Sequence, residues 1–74
     1  MKIAIAGSSG RMGRTLIETV LKDGEMLLAA ALEQTGSPFL GKDAGELVGS
    51  PCGVAISADF ESALAGADCL IDFT

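Results

Sequence analysis

The stretch Gly7-Ser8-Ser9-Gly10-Arg11-Met12-Gly13 decides the fold, because it directly follows the apolar run Ile3-Ala4-Ile5-Ala6. Three glycines therefore stand where a buried strand turns into a helix. Glycine lets the backbone turn tightly and approach a ligand closely, and the helix that follows offers an anion its unpaired N–H groups and positive dipole end. The spacing is G-x-x-G-x-x-G rather than the more familiar G-x-G-x-x-G. We interpret residues 7–13 as a phosphate cradle, and the alternative is a glycine-rich turn that binds nothing.

The apolar pattern on either side of this turn predicts a strand, a helix and a second strand. Residues 2–6 predict a short buried strand, because an unbroken apolar run is typical of a central parallel strand. From Arg11 the period becomes helical, and Gly24 stands where a helix C-terminus prefers glycine. The run 26–32 predicts a second buried strand that ends at Glu33. The expected buried face of the helix consists of Met12, Leu16, Ile17, Val20 and Leu21.

The rest of the chain predicts one irregular segment and a further strand–helix–strand unit. Glycines and prolines interrupt residues 34–53, where we expect no more than a short helical turn over 43–48. Residues 54–56 predict a third strand. Ser57 or Asp59 can cap a brief helix that runs through Leu64 and closes at Gly66, and a fourth strand begins at 69–71.

This order of elements predicts an α/β fold, a Rossmann-type parallel sheet with helices on both faces that is truncated after its fourth strand. The expected spatial order is 3-2-1-4, with a crevice where the fourth strand joins the first. The glycine turn, Glu33 and Thr74 then lie at carboxyl ends of strands, the edge at which such sheets bind ligands.

Glu33 lies twenty residues beyond Gly13, at the tip of the second strand. A carboxylate there can accept hydrogen bonds from both hydroxyls of an adenosine ribose, as the dinucleotide-binding fingerprint requires. The alternative is an acidic residue that ends a strand in water. With the glycine turn also present, we favour ribose binding.

The other residues of the turn allow more than one interpretation. Arg11 either reaches a phosphate from the first turn of the helix or is a surface residue. Arg14 lies one turn deeper, which favours a solvated face. Met12 has the spacing of a core residue, although its backbone N–H can face a pyrophosphate, and Gly13 lets the helix approach the first strand.

Composition excludes several classes of function. The 74 residues carry a net charge of −5, which disfavours nucleic acid and anionic membranes as partners, although four of the five basic residues lie within the first 22. No apolar run approaches the roughly 20 residues that span a bilayer. Cys52 and Cys69 lack metal-ligand spacing, and we expect reduced thiols in a cytoplasmic protein, with Cys69 in the core. The chain has no His and no Tyr, so we assign it no catalytic and no metal-binding residue.

Residues 1–74 closely resemble the N-terminal part of the bacterial 4-hydroxy-tetrahydrodipicolinate reductases, also called dihydrodipicolinate reductases. The likeness covers the whole chain, and the match in the irregular loop is more specific than the glycine turn. The matching pieces are Ile3-Ala4-Ile5-Ala6-Gly7, Gly10-Arg11-Met12-Gly13-Arg14, Ala30-Ala31-Leu32-Glu33, Leu40-Gly41-Lys42-Asp43-Ala44-Gly45-Glu46-Leu47 and Ile71-Asp72-Phe73-Thr74.

The resemblance implies an enzyme of the diaminopimelate route to lysine that transfers hydride from NADH or NADPH to a small dicarboxylic substrate. It also implies that the full-length enzyme is a homotetramer in the cytoplasm. It implies that Gly7–Met12 hold the pyrophosphate, that Glu33 holds the adenosine ribose, and that the Phe73-Thr74 end lies close to the cofactor cleft. The candidate cofactor-binding residues are thus Gly7, Ser8, Ser9, Gly10, Arg11, Met12, Gly13, Glu33, Gln34 and Thr74.

Two departures from the family pattern matter. Several relatives carry an arginine after the ribose carboxylate, where it can pair with the 2′-phosphate of NADPH, whereas this chain has the uncharged Gln34. We therefore expect a preference for NADH. The family also continues into a Gly-Thr-Thr-Gly loop and a substrate domain with a histidine-rich segment that supplies the proton donor. Residues 1–74 are expected to be the N-terminal part of an NAD(P)-binding domain that gives no turnover alone.

Two other functions fit the same residues. One is a non-catalytic module that senses a nucleotide, and the residues that follow Thr74 would distinguish it from a reductase. The other is a different dehydrogenase of the same fold, which the matching loop at 40–47 disfavours.

Overall fold

Four parallel strands form one sheet in the computed structural model, which describes residues 1–73. The spatial order is β3-β2-β1-β4, and the order and parallel pairing confirm the predicted Rossmann-type α/β architecture. A 3₁₀ helix lies between β2 and β3. The elements are β1 (Lys2–Ala6), α1 (Arg11–Lys22), β2 (Leu27–Leu32), the 3₁₀ helix (Ala44–Val48), β3 (Ile56–Ser57), α2 (Phe60–Gly66) and β4 (Cys69–Asp72).

Strand β1 lies at the centre of the sheet, as its unbroken apolar run predicts. Its residues from Ile3 to Ala6 are at most 3% exposed. Side chains alternate across a strand, so Ile3 and Ile5 pack on one face with α1, whereas Ala6 packs on the other face with Ala63 of α2. The two helices therefore cover opposite faces of the sheet.

Strand β2 contains one more residue than the part of β1 with which it pairs. Ile3 is level with Leu28, but Ala4 is level with Ala30, so Ala29 has no partner on β1. Such a bulge reverses the faces of the residues that follow it. Leu28 accordingly packs on the α1 side, whereas Ala30 packs on the α2 side.

The prediction that residues 26–32 form a fully buried strand is wrong for residues 26–30. The strand begins at Leu27, which is 63% exposed, and only Ala31 and Leu32 are buried. The reason is the shortness of β3, which pairs with those two residues alone. Among residues 1–73, the first half of β2 therefore has a strand neighbour on one side only.

Two further expectations for the sheet need correction. The third strand is not at 54–56 but at Ile56–Ser57, because Ala55 is used in an antiparallel bridge to Asp43. Cys69 is exposed rather than part of the core. Its strand, β4, pairs with β1 on one side and has no partner on the other side among the described residues.

The helices begin close to where the sequence predicts them. Helix α1 starts at Arg11, and of the two caps predicted for α2 the structure uses Asp59, whose carboxylate accepts a hydrogen bond from the Ser62 N–H at 3.1 Å. Within residues 1–73, no helix has both the length and the apolar character needed to cross a membrane.

Besides backbone hydrogen bonds, the irregular segment between β2 and β3 is held together by the carboxylate of Asp43. Its Oδ1 accepts from the backbone N–H groups of Gly45 at 2.7 Å and Cys52 at 3.0 Å and from the Cys52 thiol, and its Oδ2 accepts from the Gly53 N–H at 2.7 Å. The hydrogen bonds from Cys52 and Gly53 lower the pKa of Asp43 to about 2. The carboxylate therefore caps the 3₁₀ helix and ties it to the approach to β3.

Substitution Asp43→Asn should lower the stability of the full-length protein at neutral pH. An amide has one acceptor oxygen, so at least one of these donors would face an NH₂ group. Because the folded-state pKa is below the ordinary 3.8, the charged form stabilises the fold above pH 3.8, and this contribution is lost as the pH falls through about 2. The variant should therefore lose less stability than wild type between about pH 4 and pH 2.

Urea unfolding at several pH values measures both effects. Glu25→Gln is a matched control, because the Glu25 side chain is exposed and has no hydrogen-bond partner among residues 1–73. Equal stability of Asp43→Asn and wild type at pH 7 would contradict the role given to this carboxylate.

Candidate cofactor site

The glycine turn is anchored to the end of β2 by a single backbone carbonyl. Leu32 O accepts hydrogen bonds from Gly7 N at 3.0 Å, Ser8 N at 3.1 Å and Ser8 Oγ at 3.1 Å. Gly7 has a φ of +75°, a conformation that favours glycine. A Cβ on Gly7 would also lie 3.2 Å from the Phe73 carbonyl carbon. The turn is thus held between β2 and the residue that follows β4.

The three glycines of the turn meet different structural requirements. A Cβ on Gly13 would lie 2.3 Å from the Gly7 carbonyl oxygen, so this glycine permits the close packing of α1 against the turn. Gly10 has an ordinary φ of −73°, and a Cβ there would meet no heavy atom closer than 3.4 Å. The fold therefore requires glycine at positions 7 and 13 but leaves space for a side chain at position 10.

The N-terminus of α1 is open toward solvent. Its cap residue, Gly10, has no side chain, and the first turn contains no acidic residue. No acceptor within residues 1–73 pairs with the backbone N–H groups of Arg11, Met12 and Gly13. Gly13 is buried, whereas Arg11 and Met12 are exposed, so two unpaired donors at the positive end of the helix are open to an anion.

Glu33 lies beside this helix end because the strand that carries it is paired with β1. Its N–H donates to Ser57 O at 2.9 Å, which fixes the backbone. Its Oε2 accepts from Ser9 N at 2.7 Å and from Ser9 Oγ at 2.6 Å. Its Oε1 accepts no hydrogen bond from residues 1–73 and is available to a ligand hydroxyl. The structure thus brings Glu33 and the glycine turn into direct contact.

The other predicted site residues differ in exposure. Ser8 is fully buried, with its hydroxyl on Leu32 O, so it holds the turn in the conformation described. Arg11 and Gln34 are exposed. Met12 is 58% exposed, so its interpretation as a core residue is wrong. Thr74 lies outside the described residues.

Arg14 is not the solvated residue that its position in the helix predicts. It is half-buried, and its Nε donates to Ser9 O at 2.8 Å. Its guanidinium carbon lies 5.5 Å from the centre of the Phe39 ring, and Lys42 Nζ lies 5.7 Å from the same centre. Both distances are in the range of cation–π interactions. Helical periodicity cannot reveal a side chain that reaches back to the preceding turn, and the only sequence signal is the local excess of basic residues.

An open groove of about 470 Å³ runs along α1 from the glycine turn to the 3₁₀ helix. It begins at Ser9 and Arg11 and passes Arg14 toward Leu47. The glycine turn therefore adjoins three features: the unpaired start of α1, the free oxygen of Glu33 and this groove.

The order of the sheet and the glycine turn after β1 define the first part of a Rossmann-type dinucleotide-binding fold. The family model described as "Dihydrodipicolinate reductase, N-terminus" matches residues 1–74, and the chain belongs to this family.

Curated relatives confirm the resemblance found in the sequence. The chain is 66% identical to the 4-hydroxy-tetrahydrodipicolinate reductase of Cupriavidus necator. It is 60% identical to the protein of that name from Nitrosospira multiformis and 58% identical to that from Nitrosomonas europaea. Each comparison covers all of this chain and 28% of the length of the relative.

The two glycines that flank the helix start should respond differently to alanine. Gly13→Ala should destabilise the full-length protein by about 1–3 kcal/mol, because the methyl group would overlap the Gly7 carbonyl. Gly10→Ala should cost less than about 1 kcal/mol. It should nevertheless weaken binding of NADH, the cofactor that the sequence predicts, about tenfold or more, because a methyl group would stand where a phosphate approaches the helix.

Thermal unfolding and fluorescence titration with NADH measure the two effects separately. Unchanged NADH affinity in a folded Gly10→Ala variant would show that no phosphate approaches this position.

Proposed function

We propose that this chain is the cofactor-binding N-terminal part of a 4-hydroxy-tetrahydrodipicolinate reductase that uses NADH or NADPH. One observation carries the proposal. The start of α1, whose N–H groups have no partner within residues 1–73, lies next to the carboxylate of Glu33, which contacts the same turn. Family membership and the names of the relatives support the choice of this reaction over a non-catalytic nucleotide sensor.

The residues present fit a dinucleotide. The unpaired N–H groups of the exposed residues Arg11 and Met12 are free to bind the pyrophosphate, whose negative charge the helix dipole favours. The free Oε1 of Glu33 can accept a ribose hydroxyl. When bound, the dihydronicotinamide supplies the hydride. This part of the protein binds and orients the cofactor, and we expect the substrate contacts and the proton donor to lie outside residues 1–74.

We propose that the reaction belongs to the diaminopimelate route to lysine, as the family resemblance implies, and family membership supports this assignment. We also propose a homotetramer in the cytoplasm, which the family resemblance in the sequence implies. The partner of the full-length enzyme would be a small dicarboxylic substrate, and we propose no nucleic acid or membrane partner.

Reductase activity of the full-length gene product tests the proposal. We expect oxidation of NADH that depends on 4-hydroxy-tetrahydrodipicolinate. Glu33→Gln should weaken NADH binding by about tenfold, because the ribose loses a charge-assisted hydrogen bond. Residues 1–74 alone should give no turnover.

The conservative variant Glu25→Gln, an exposed carboxylate at the other end of the sheet, is the control for charge removal. Binding of NADH without turnover by the full-length protein would favour the nucleotide sensor, and turnover by residues 1–74 would overturn the division of roles proposed here.

We further propose that NADH is preferred over NADPH. The residue after the ribose carboxylate is Gln34, which is exposed and cannot form an ion pair with a 2′-phosphate. Gln34→Arg should therefore strengthen NADPH binding about tenfold and leave NADH binding nearly unchanged. Dissociation constants for both cofactors, with Gln34→Met as a neutral control, measure the effect. Tighter binding of NADPH than of NADH by the wild-type protein would overturn the preference.

A further inference from the structure

Arg14 connects the glycine turn to the segment that follows Glu33. Its Nε donates to Ser9 O at 2.8 Å, and its guanidinium carbon lies 5.5 Å from the centre of the Phe39 ring. Phe39 in turn packs against the core on the α1 side of the sheet. Arg14 is therefore held by the loop after β2 while it holds the turn after β1.

The residue that Arg14 holds is the one that orients Glu33. Ser9 donates both its N–H and its hydroxyl to Glu33 Oε2, at 2.7 and 2.6 Å. Rotation of the carboxylate would break two hydrogen bonds to a charged acceptor, the stronger class of hydrogen bond. Ser9 thus fixes which oxygen of Glu33 remains free.

We propose that Arg14 is a positioning residue for recognition of the adenosine ribose. By holding the Ser9 carbonyl, it keeps the Ser9 N–H and hydroxyl on Glu33 Oε2, so that Oε1 faces the ribose hydroxyl. This inference rests on the proposed function, because it gives Glu33 the ribose as its ligand.

The geometry favours arginine over lysine at this position. The Nε–H lies within the planar guanidinium group, so one side chain can donate to Ser9 O and lie over the Phe39 ring at the same time. Lysine keeps the charge but ends in a flexible ammonium group without that planar surface. An arginine that served only to attract phosphate would tolerate this change, whereas a positioning arginine would not.

The test compares Arg14→Lys and Arg14→Met with wild type in the full-length protein. The probes are NADH and its analogue with 2′-deoxyadenosine, which lacks one ribose hydroxyl. Wild type should bind NADH about tenfold more tightly than the analogue. The affinity ratio is the dissociation constant of the analogue divided by that of NADH. In both variants this ratio should fall to about twofold or less, because NADH binding weakens while binding of the analogue changes little.

Arg11→Met is the matched control. Arg11 is exposed and has no hydrogen bond to Ser9 among residues 1–73, so its removal should leave the ratio unchanged even if both affinities fall. The double variant Arg14→Lys with Glu33→Gln should bind NADH no more weakly than Glu33→Gln alone, because Arg14 would act only through Glu33.

Each other outcome overturns the inference. If Arg14→Lys has the same affinity ratio as wild type, the charge of Arg14 alone matters. If the affinities for NADH and for the analogue fall equally, Arg14 acts on the phosphates or on the fold. If neither Arg14 variant folds, Ser9→Ala decides, because it removes only the hydroxyl bond to Glu33, and an unchanged ratio again overturns the inference. Failure of wild type to bind NADH would instead refute the proposed function, and binding without preference for the 2′-hydroxyl would refute the role of Glu33.

Discussion

The candidate site depends on the carbonyl group of Leu32. This one acceptor receives three hydrogen bonds from Gly7 and Ser8, and it belongs to the residue that precedes Glu33. The turn after β1 is therefore attached to the end of β2, next to the carboxylate. The two hydrogen bonds from Ser9 to Glu33 then join the turn to the carboxylate itself. The unpaired start of α1 and the Glu33 carboxylate therefore lie at the same edge of the sheet.

Parallel strands make this arrangement possible, because their carboxyl ends meet at the same edge of the sheet. The side chains of β1 add a second condition. Isoleucines on the α1 face fill the space beneath a 12-residue helix, and alanines on the other face let the shorter α2 approach. Gly13 then brings the start of α1 against the turn. Packing of the core thus determines where the helix dipole points.

The sequence predicted the elements that depend on local patterns and missed contacts between distant segments. An apolar run and a change of period were enough to locate β1 and α1, and the strand order followed from the right-handed crossovers of a doubly wound parallel sheet. Burial was harder to predict, because Leu27 and Cys69 belong to strand segments that, among residues 1–73, have a strand neighbour on one side only. The periodicity of α1 placed Met12 on the buried face with Ile17, but Met12 is exposed at the start of the helix, whereas Ile17 is fully buried. The contact between Ser9 and Glu33 spans 24 residues and has no local signal.

Ala29 has no partner on β1, so β2 contains one residue more than its pairing with β1 requires. Leu32 lies level with Ala6 only because the bulge absorbs Ala29. Loss of this alanine would straighten the strand and leave each later residue opposite its present partner, so the carboxylate after Leu32 would stay beside the turn. Insertion of a residue next to Ala29 would have a different effect. It would shift the end of β2 by about 3.3 Å relative to β1 and turn the side chains that follow to the opposite face of the sheet. Among sequences of this family, a shortened β2 is therefore compatible with the same site, whereas a lengthened one requires a second bulge.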